Sequence, residues 1–231
     1  MSPSYRHLCK DITLQSATVD TMIDPLSRLT LVNGRPTPTA TDIDARIRRG
    51  RLLRITEHGE SVLHRSCRAV TDFGVHWSRL IDDMFATMWA ADGCGLAANQ
   101  VGEDIRLFVY DLTDEHGVRH VGQVFNPVIH DMSTTLDEGT EGCLSVPGAT
   151  APLARPHRVR LDGQDLTGNP ITLTATGYLA RCLQHETQHL DGRLYIDLLA
   201  PAARRRALAR SAARRDRVMA DRADRGRRLT H

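Results

Sequence analysis

Lysine is almost missing from this chain: of 30 basic residues only Lys10 is a lysine, and the rest are Arg. With so much Ala beside the Arg, the bias reads as GC-rich coding rather than as selection for guanidinium chemistry. Aromatic residues are scarce at 4%, so a core built on stacked rings is excluded and aliphatic side chains must supply it. No apolar run approaches the roughly 20 residues that a helix needs to cross a bilayer, which excludes a helical membrane span. Cysteines number five, Cys9, Cys67, Cys94, Cys143 and Cys182. An odd count in a chain of 231 residues argues against a disulfide framework and for a reducing compartment. Residues 1–20 lack the charged-then-apolar pattern of a secretory signal, so the expected location is the cytoplasm.

What remains is ordinary globular material, 41% hydrophobic and 25% charged, enough for one domain with extensions. The formal net charge is +2, yet Pro201 to His231 holds eleven Arg against three Asp. The rest of the chain is therefore net acidic, and the asymmetry hints at a segment facing a polyanion. The organisation reads as a loosely ordered N-terminal extension over 1–50, a central domain over 51–200 and an Arg-rich helical tail over 201–231. In the first segment, Arg35-Pro36-Thr37-Pro38-Thr39 disfavours regular structure.

Apolar residues at helical spacing (Leu80, Ile81, Met84, Phe85, Met88) predict a helix over 75–91, ended by Gly93 and Gly95. Strands are expected at 106–110, 118–126, 159–161 and 171–175, the last two joined by the turn Asp165-Leu166-Thr167-Gly168-Asn169-Pro170. A helix is predicted over 177–191, with Thr176 as N-cap and Gly192 as its stop. Residues 202–221 are helical by propensity, fraying from Asp224 onward. Strands first and helices after, with hairpin-length links, imply an α+β fold with antiparallel sheet.

The chemistry concentrates in Gln184-His185-Glu186-Thr187-Gln188-His189. On a helix, His185 and His189 lie one turn apart on one face and converge on one ion, with Glu186 beside them to take a proton from water. Eleven His in the chain make a chance pair at this spacing ordinary, but the interposed Glu is rarer. A catalytic metal takes three protein ligands and keeps one position open. Downstream, Asp191, Asp197 and His231 are available and none forms a persuasive pattern. Upstream, Cys143 in Glu141-Gly142-Cys143-Leu144-Ser145 offers a thiolate, although a lone Cys is more often a small buried hydrophobe.

These segments resemble the peptide deformylase family. Glu141 to Ser145 is similar to its E-G-C-L-S motif, Gly93-Cys94-Gly95-Leu96-Ala97-Ala98-Asn99-Gln100 to its G-x-G-L-A-A-x-Q motif, and Gln184 to Gly192 to its Q-H-E-x-D-H-L-x-G motif. All three stand in the family order, and the likeness runs from about Leu53 to Leu199. It implies an α+β fold in which antiparallel β-sheets surround a central helix carrying H-E-x-x-H. It implies removal of the N-formyl group from formyl-methionyl nascent peptides. Cys143, His185 and His189 would hold one divalent metal, Fe²⁺ by family habit, with Zn²⁺, Ni²⁺ or Co²⁺ able to occupy the site; a Cys-His₂ donor set suits Zn²⁺ by coordination preference.

Glu186 would be the general base, and the Gln100 amide with the Leu144 backbone N–H would stabilise the oxyanion. Without the motif, Gln100 reads as a solvated turn residue. Gly93 and Gly95 would let an extended peptide lie along the backbone, or simply end a helix. Tyr178 and Cys182 would line the methionine pocket, or simply pack the core, with Cys94 a weaker candidate for the same wall. One departure stands out, Gln188 where the family has Asp. That position flanks the ligand face, so its expected role is to orient neighbours or pair with a cation.

The Arg-rich tail reads either as a solvated helix or as a contact for ribosomal RNA. Other function classes are a general metalloprotease, which the missing downstream ligand opposes, and an inactivated binding module, which the intact Cys143, His185, His189, Glu186 and Gln100 oppose. A spare, inhibitor-resistant copy of the enzyme is compatible with the main reading.

Overall fold

The computed structural model describes residues 29–37 and 41–229. The expectation of a loosely ordered extension falls on 1–28 and 38–40 outside those residues, and does not hold within them. Strands β1 (Thr30–Val32) and β2 (Arg35–Thr37) form a hairpin across Asn33-Gly34, both with positive φ, the two-residue turn this dipeptide favours. Helix α1 (Thr41–Arg49) follows, and buries Ile43 and Ile47, one turn apart on one face. Pro36 is tolerated because β2 is an edge strand, where a missing ladder donor faces no partner.

Helix α2 (Ser78–Ala90) buries Ile81, Met84, Phe85 and Met88, the face that the periodicity predicts. Its first expected turn, Val75–Trp77, is a tighter 3₁₀ turn. Then come β3 (Gly95–Ala97), β4 (Leu107–Thr113), β5 (Arg119–His130), β6 (Leu136–Cys143), β7 (Val146–Pro156), β8 (Arg158–Gln164), β9 (Pro170–Thr176), α3 (Gly177–Leu190) and α4 (Pro201–Leu229). Helix α4 thus continues beyond Asp224, where fraying is expected; Thr230 and His231 lie outside the described residues. Thr176 does precede α3, but its side chain makes no capping hydrogen bond.

The larger sheet runs β2-β1-β5-β4-β3, with β8 and β9 added on the far half of β5. All its pairings are antiparallel except β1 with β5. Strand β4 is buried along its length rather than alternately. The reason is that helices cover both faces of the sheet. Leu107, Val109, Val121 and Phe125 pack with α1 and α2, while Phe108, Tyr110, Leu112 and Val124 pack with α3. Helix α3 is consequently buried almost all round, as a central helix must be.

The smaller sheet is the hairpin β6–β7. Its register holds from Leu136↔Pro156 to Gly142↔Thr150 and then slips, so Cys143 faces Val146 across a two-residue link, Leu144-Ser145. Leu63, Cys143, Val146, Ala149, Tyr195, Ile196 and Ala207 of α4 form a third apolar cluster under this turn. The C-terminal helix is therefore packed onto the body. Gly148, at φ +73, allows the approach, since a Cβ there would stand 2.7 Å from the Arg214 Cβ.

Candidate metal centre

Cys143 at the end of β6 meets His185 and His189 from α3. The Cys143 Sγ lies 3.1 Å from His189 Nε2, which lies 3.2 Å from His185 Nε2. The three donor atoms fall within 4.8 Å of one another, and the other candidate ligands are elsewhere. Asp191 pairs with Arg106 at 2.8 Å and Asp197 with Arg204 at 3.1 Å, and His231 is outside the described residues.

The donors fit a divalent cation. His185 turns Nε2 inward because its Nδ1 is engaged, 3.1 Å from Glu141 Oε2, the carboxylate–histidine arrangement that orients metal-binding imidazoles. One thiolate and two imidazoles leave a fourth position for water or substrate.

Glu141 sits at the middle of a buried ionic cluster. Arg155 engages it through two hydrogen bonds, Nε to Oε1 and Nη2 to Oε2, and Arg181 Nη1 donates to Oε1 at 2.7 Å. Arg181 also donates to the Leu153 and Asp137 carbonyls. Burial would push the Glu141 carboxyl up, but Arg155 and His185 outweigh it and hold it well below its ordinary value. Gln188 joins the cluster by accepting from Arg155 Nη1 at 2.9 Å. A glutamine at this position thus contacts a cation without adding a charge.

Burial pulls His185 down, yet its hydrogen bonds with Cys143 and Glu141 prevail and raise it to about 10. Burial, and the charge on His185, push His189 down. The contacts with Cys143 and Glu141 favour the charged form of His185, so a cation taken up at the triad competes with a proton there.

Glu186 is 4% exposed, and burial raises its pKa to about 7, the range that suits a general base near neutral pH. Gly95 makes room for it, since a Cβ at that position would lie 2.4 Å from Glu186 Oε1. Gln100 is 1% exposed, so it is not the solvated turn residue that its local sequence suggests. It is held by its own Oε1, which accepts from the Ala97 N–H at 2.9 Å. Its Nε2 points to Ser145 Oγ at 3.2 Å and Cys143 Sγ at 3.6 Å.

One cleft is lined by Gln100, Cys143, Leu144, His185 and Glu186 at its chemical end and by Gly93, Cys94, Gly95, Tyr178 and Cys182 along its wall. The cleft thus gathers the expected site residues except His189, which is fully buried and meets Cys143 and His185 behind its wall. Tyr178 Oη and Cys94 Sγ are 2.7 Å apart and Cys182 Sγ lies 3.7 Å from the Cys94 carbonyl. That wall is soft, sulfur-rich and apolar, a surface that suits a thioether side chain.

Three contributors carry no role in the sequence reading: Glu141, Arg155 and Arg181. Two had a usable signal. Glu141 is two residues before Cys143 on a strand and must share its face, and Arg181 is one turn before His185 on α3. Arg155 lies fourteen residues beyond Glu141 on the partner strand, and nothing in its local sequence marks it.

Known proteins resemble this chain in sequence and in fold. The sequence profile described as polypeptide deformylase matches residues 52–205. Peptide deformylase 1 of Streptomyces avermitilis is 53% identical over 167 residues, 71% of this chain and 77% of that protein. Peptide deformylase 2 of Streptomyces coelicolor is 49% identical over 156 residues, covering 68% of this chain and 87% of its own. The crystal structure of peptide deformylase from Ehrlichia chaffeensis superposes with a TM-score of 0.65 at 35% identity, over 71% of this chain and 97% of that one. The enzyme from Synechococcus elongatus in complex with actinonin gives 0.64 at 36% identity, over 71% and 91%.

Proposed function

The chain belongs to the polypeptide deformylase family, and from that premise we propose how its own residues carry the family's reaction, removal of the N-formyl group from formyl-methionyl peptides. The observation that carries the reading is the convergence of Cys143, His185 and His189 on one point beside Glu186 and Gln100.

Cys143, His185 and His189 would hold a divalent metal, which would supply a Lewis acid to acidify water and polarise a carbonyl oxygen. We take Fe²⁺ as the physiological ion, with Zn²⁺, Ni²⁺ and Co²⁺ as substitutes. Glu186 accepts the proton of the attacking water and returns one to the leaving amine. Its buried carboxyl, with a pKa near 7, can both take and release that proton at neutral pH. The Gln100 Nε2–H and the Leu144 N–H stabilise the developing oxyanion; a preorganised donor of this kind is worth about 3–4 kcal/mol. Gly93 and Gly95 admit the substrate backbone, extended against the edge strand β3. Tyr178, Cys182 and Cys94 enclose the methionine side chain.

The chemistry lies within a catalytic domain spanning 51–200, with 1–50 as an extension and 201–231 as a C-terminal addition. We place the enzyme in the cytoplasm, where formylated nascent chains emerge; no helix among the described residues is long and apolar enough to cross a membrane. Contact with the ribosome through α4 rests on its exposed arginines Arg205, Arg206 and Arg217. Changing these three to Glu abolishes low-salt co-sedimentation with ribosomes if they form the contact; unchanged sedimentation removes the idea.

The substrate class is tested by anaerobic formate release from a formyl-methionyl tripeptide by Fe²⁺- or Ni²⁺-loaded protein, beside the unformylated peptide. Formate from the first and no cleavage of the second is the expected result. Cleavage of the unformylated peptide would make the enzyme a general metalloprotease.

A further inference from the structure

Arg222 is a cation buried to 9% exposure on α4, a helix whose other arginines are mostly exposed. Its Nη2 donates to the Leu144 carbonyl at 2.9 Å. That carbonyl and the Ser145 N–H belong to the same peptide unit, and the Ser145 N–H points at the Cys143 sulfur, 3.4 Å away. The peptide is thus bridged, with a guanidinium at its oxygen end and the ligand sulfur at its nitrogen end. A cation on the carbonyl polarises the amide and strengthens the N–H···S hydrogen bond, because linked hydrogen bonds reinforce one another in a low-dielectric interior. The same anchor fixes the turn that carries Leu144.

The register of α4 that puts Arg222 there is held independently. Arg215 Nε and Nη2 donate to the Glu57 carboxylate at 2.7 and 2.9 Å, and Arg225 Nε donates to the Ala90 carbonyl at 2.8 Å. Gly226 closes on Leu52, and Ala207 is buried in the cluster that contains Cys143.

We propose that Arg222 is a positioning residue of the metal centre, acting through the Leu144–Ser145 peptide on the Cys143 sulfur, so that the C-terminal helix is part of the catalytic unit. This rests on the reading of Cys143, His185 and His189 as the metal ligands. Arg222 sets how much charge the sulfur gives the metal and keeps the oxyanion-binding turn in place, without touching substrate.

The test uses full-length protein loaded with Co²⁺, whose sulfur-to-cobalt charge-transfer absorption reports the thiolate directly. Arg222→Gln moves that band to longer wavelength, because the sulfur loses hydrogen-bond polarisation, and lowers kcat about tenfold with KM unchanged. Arg222→Lys, which keeps a cation and a donor, gives a smaller shift of the same sign and serves if the glutamine variant does not fold. Arg225→Gln removes an equivalent docking contact on a different carbonyl and leaves the band where it is. A wild-type band that neither Arg222 variant moves, or one that Arg225→Gln moves equally, overturns the inference alone. A wild type with no such band overturns the ligand assignment, and the inference with it.

Discussion

Helices α3 and α4 both reach the turn that carries Cys143, and they do so with different chemistry. Helix α3 presents side chains to side chains: His189 faces the Cys143 sulfur, and His185 and Arg181 meet Glu141. Around that turn helix α4 meets backbone instead, Arg222 the Leu144 carbonyl, Arg210 that of Thr150 and Arg225 that of Ala90, while its Arg215 pairs with the Glu57 carboxylate farther along. Contacts between functional side chains require particular residues at particular spacings. A carbonyl acceptor exists at every residue, so contacts to it depend only on where a helix comes to rest. The first kind sets the identity of the centre and the second its posture. Substitutions on the two helices should accordingly fail in different ways.

The largest effect belongs to the α3 side. Glu141→Gln leaves Arg155 and Arg181 buried beside a neutral amide, and breaking a buried pair of this kind costs about 3–5 kcal/mol. It also weakens metal binding about 10–100-fold, because His185 loses its orienting carboxylate. Denaturant unfolding and chelator competition measure the two. The pH dependence follows from the sign of the shift: the folded-state pKa lies below the ordinary 4.5. Its contribution is fully present above pH 4.5 and is lost as pH falls toward the lower folded value. The stability gap between the proteins should be flat from pH 5 to 8 and narrow only in stronger acid. A gap that closes near neutrality would mean the carboxylate is not held by its arginines.

On α4, away from Arg222, the expected losses are smaller and of packing. Ala207, 2% exposed against the third apolar cluster, has no room for a larger side chain, so Ala207→Leu costs about 1–3 kcal/mol. Arg205→Ala, on the exposed face two residues earlier, changes stability by about 0.5 kcal/mol or less. Equal losses, read from urea midpoints, would show that α4 is not docked in the way described.

The smallest effect is at Gln188. Its amide oxygen already accepts from Arg155, so Gln188→Asp restores a charge but no missing partner. We expect kcat/KM to change by less than the tenfold that follows loss of an outer partner, with metal affinity rising slightly. A gain of more than about tenfold would mean that glutamine disables the centre in this chain.

How far the sequence speaks follows the same division. The convergence of His185, Glu186 and His189 is legible because α3 repeats every 3.6 residues, whereas Cys143, Gln100 and Leu144 stand off that helix and are singled out only by their likeness to the family motifs. The α2 face and the β4, β5, β8 and β9 segments followed from apolar patterning. The hairpin at 30–37 had a signal in Asn33-Gly34 between apolar Leu31-Val32 and the edge strand, overridden in the reading by the two nearby prolines. The parallel pairing of β1 with β5 had none, because it joins segments nearly ninety residues apart. Nor did the seating of α4, whose apolar stripe is thin: only Ala207, Arg222 and Gly226 are buried along it. Its arginines suggested a solvated or polyanion-binding tail, whereas much of their hydrogen bonding is with the protein itself.

The central claim is that Glu186 moves the proton while Cys143, His185 and His189 hold the metal. Glu186→Gln separates the two roles when metal content and formate release are measured on the same anaerobic sample. The account predicts one equivalent of metal, as in the wild type, with kcat reduced about 10²–10⁴-fold. Full metal content with kcat within a few fold of wild type would contradict it.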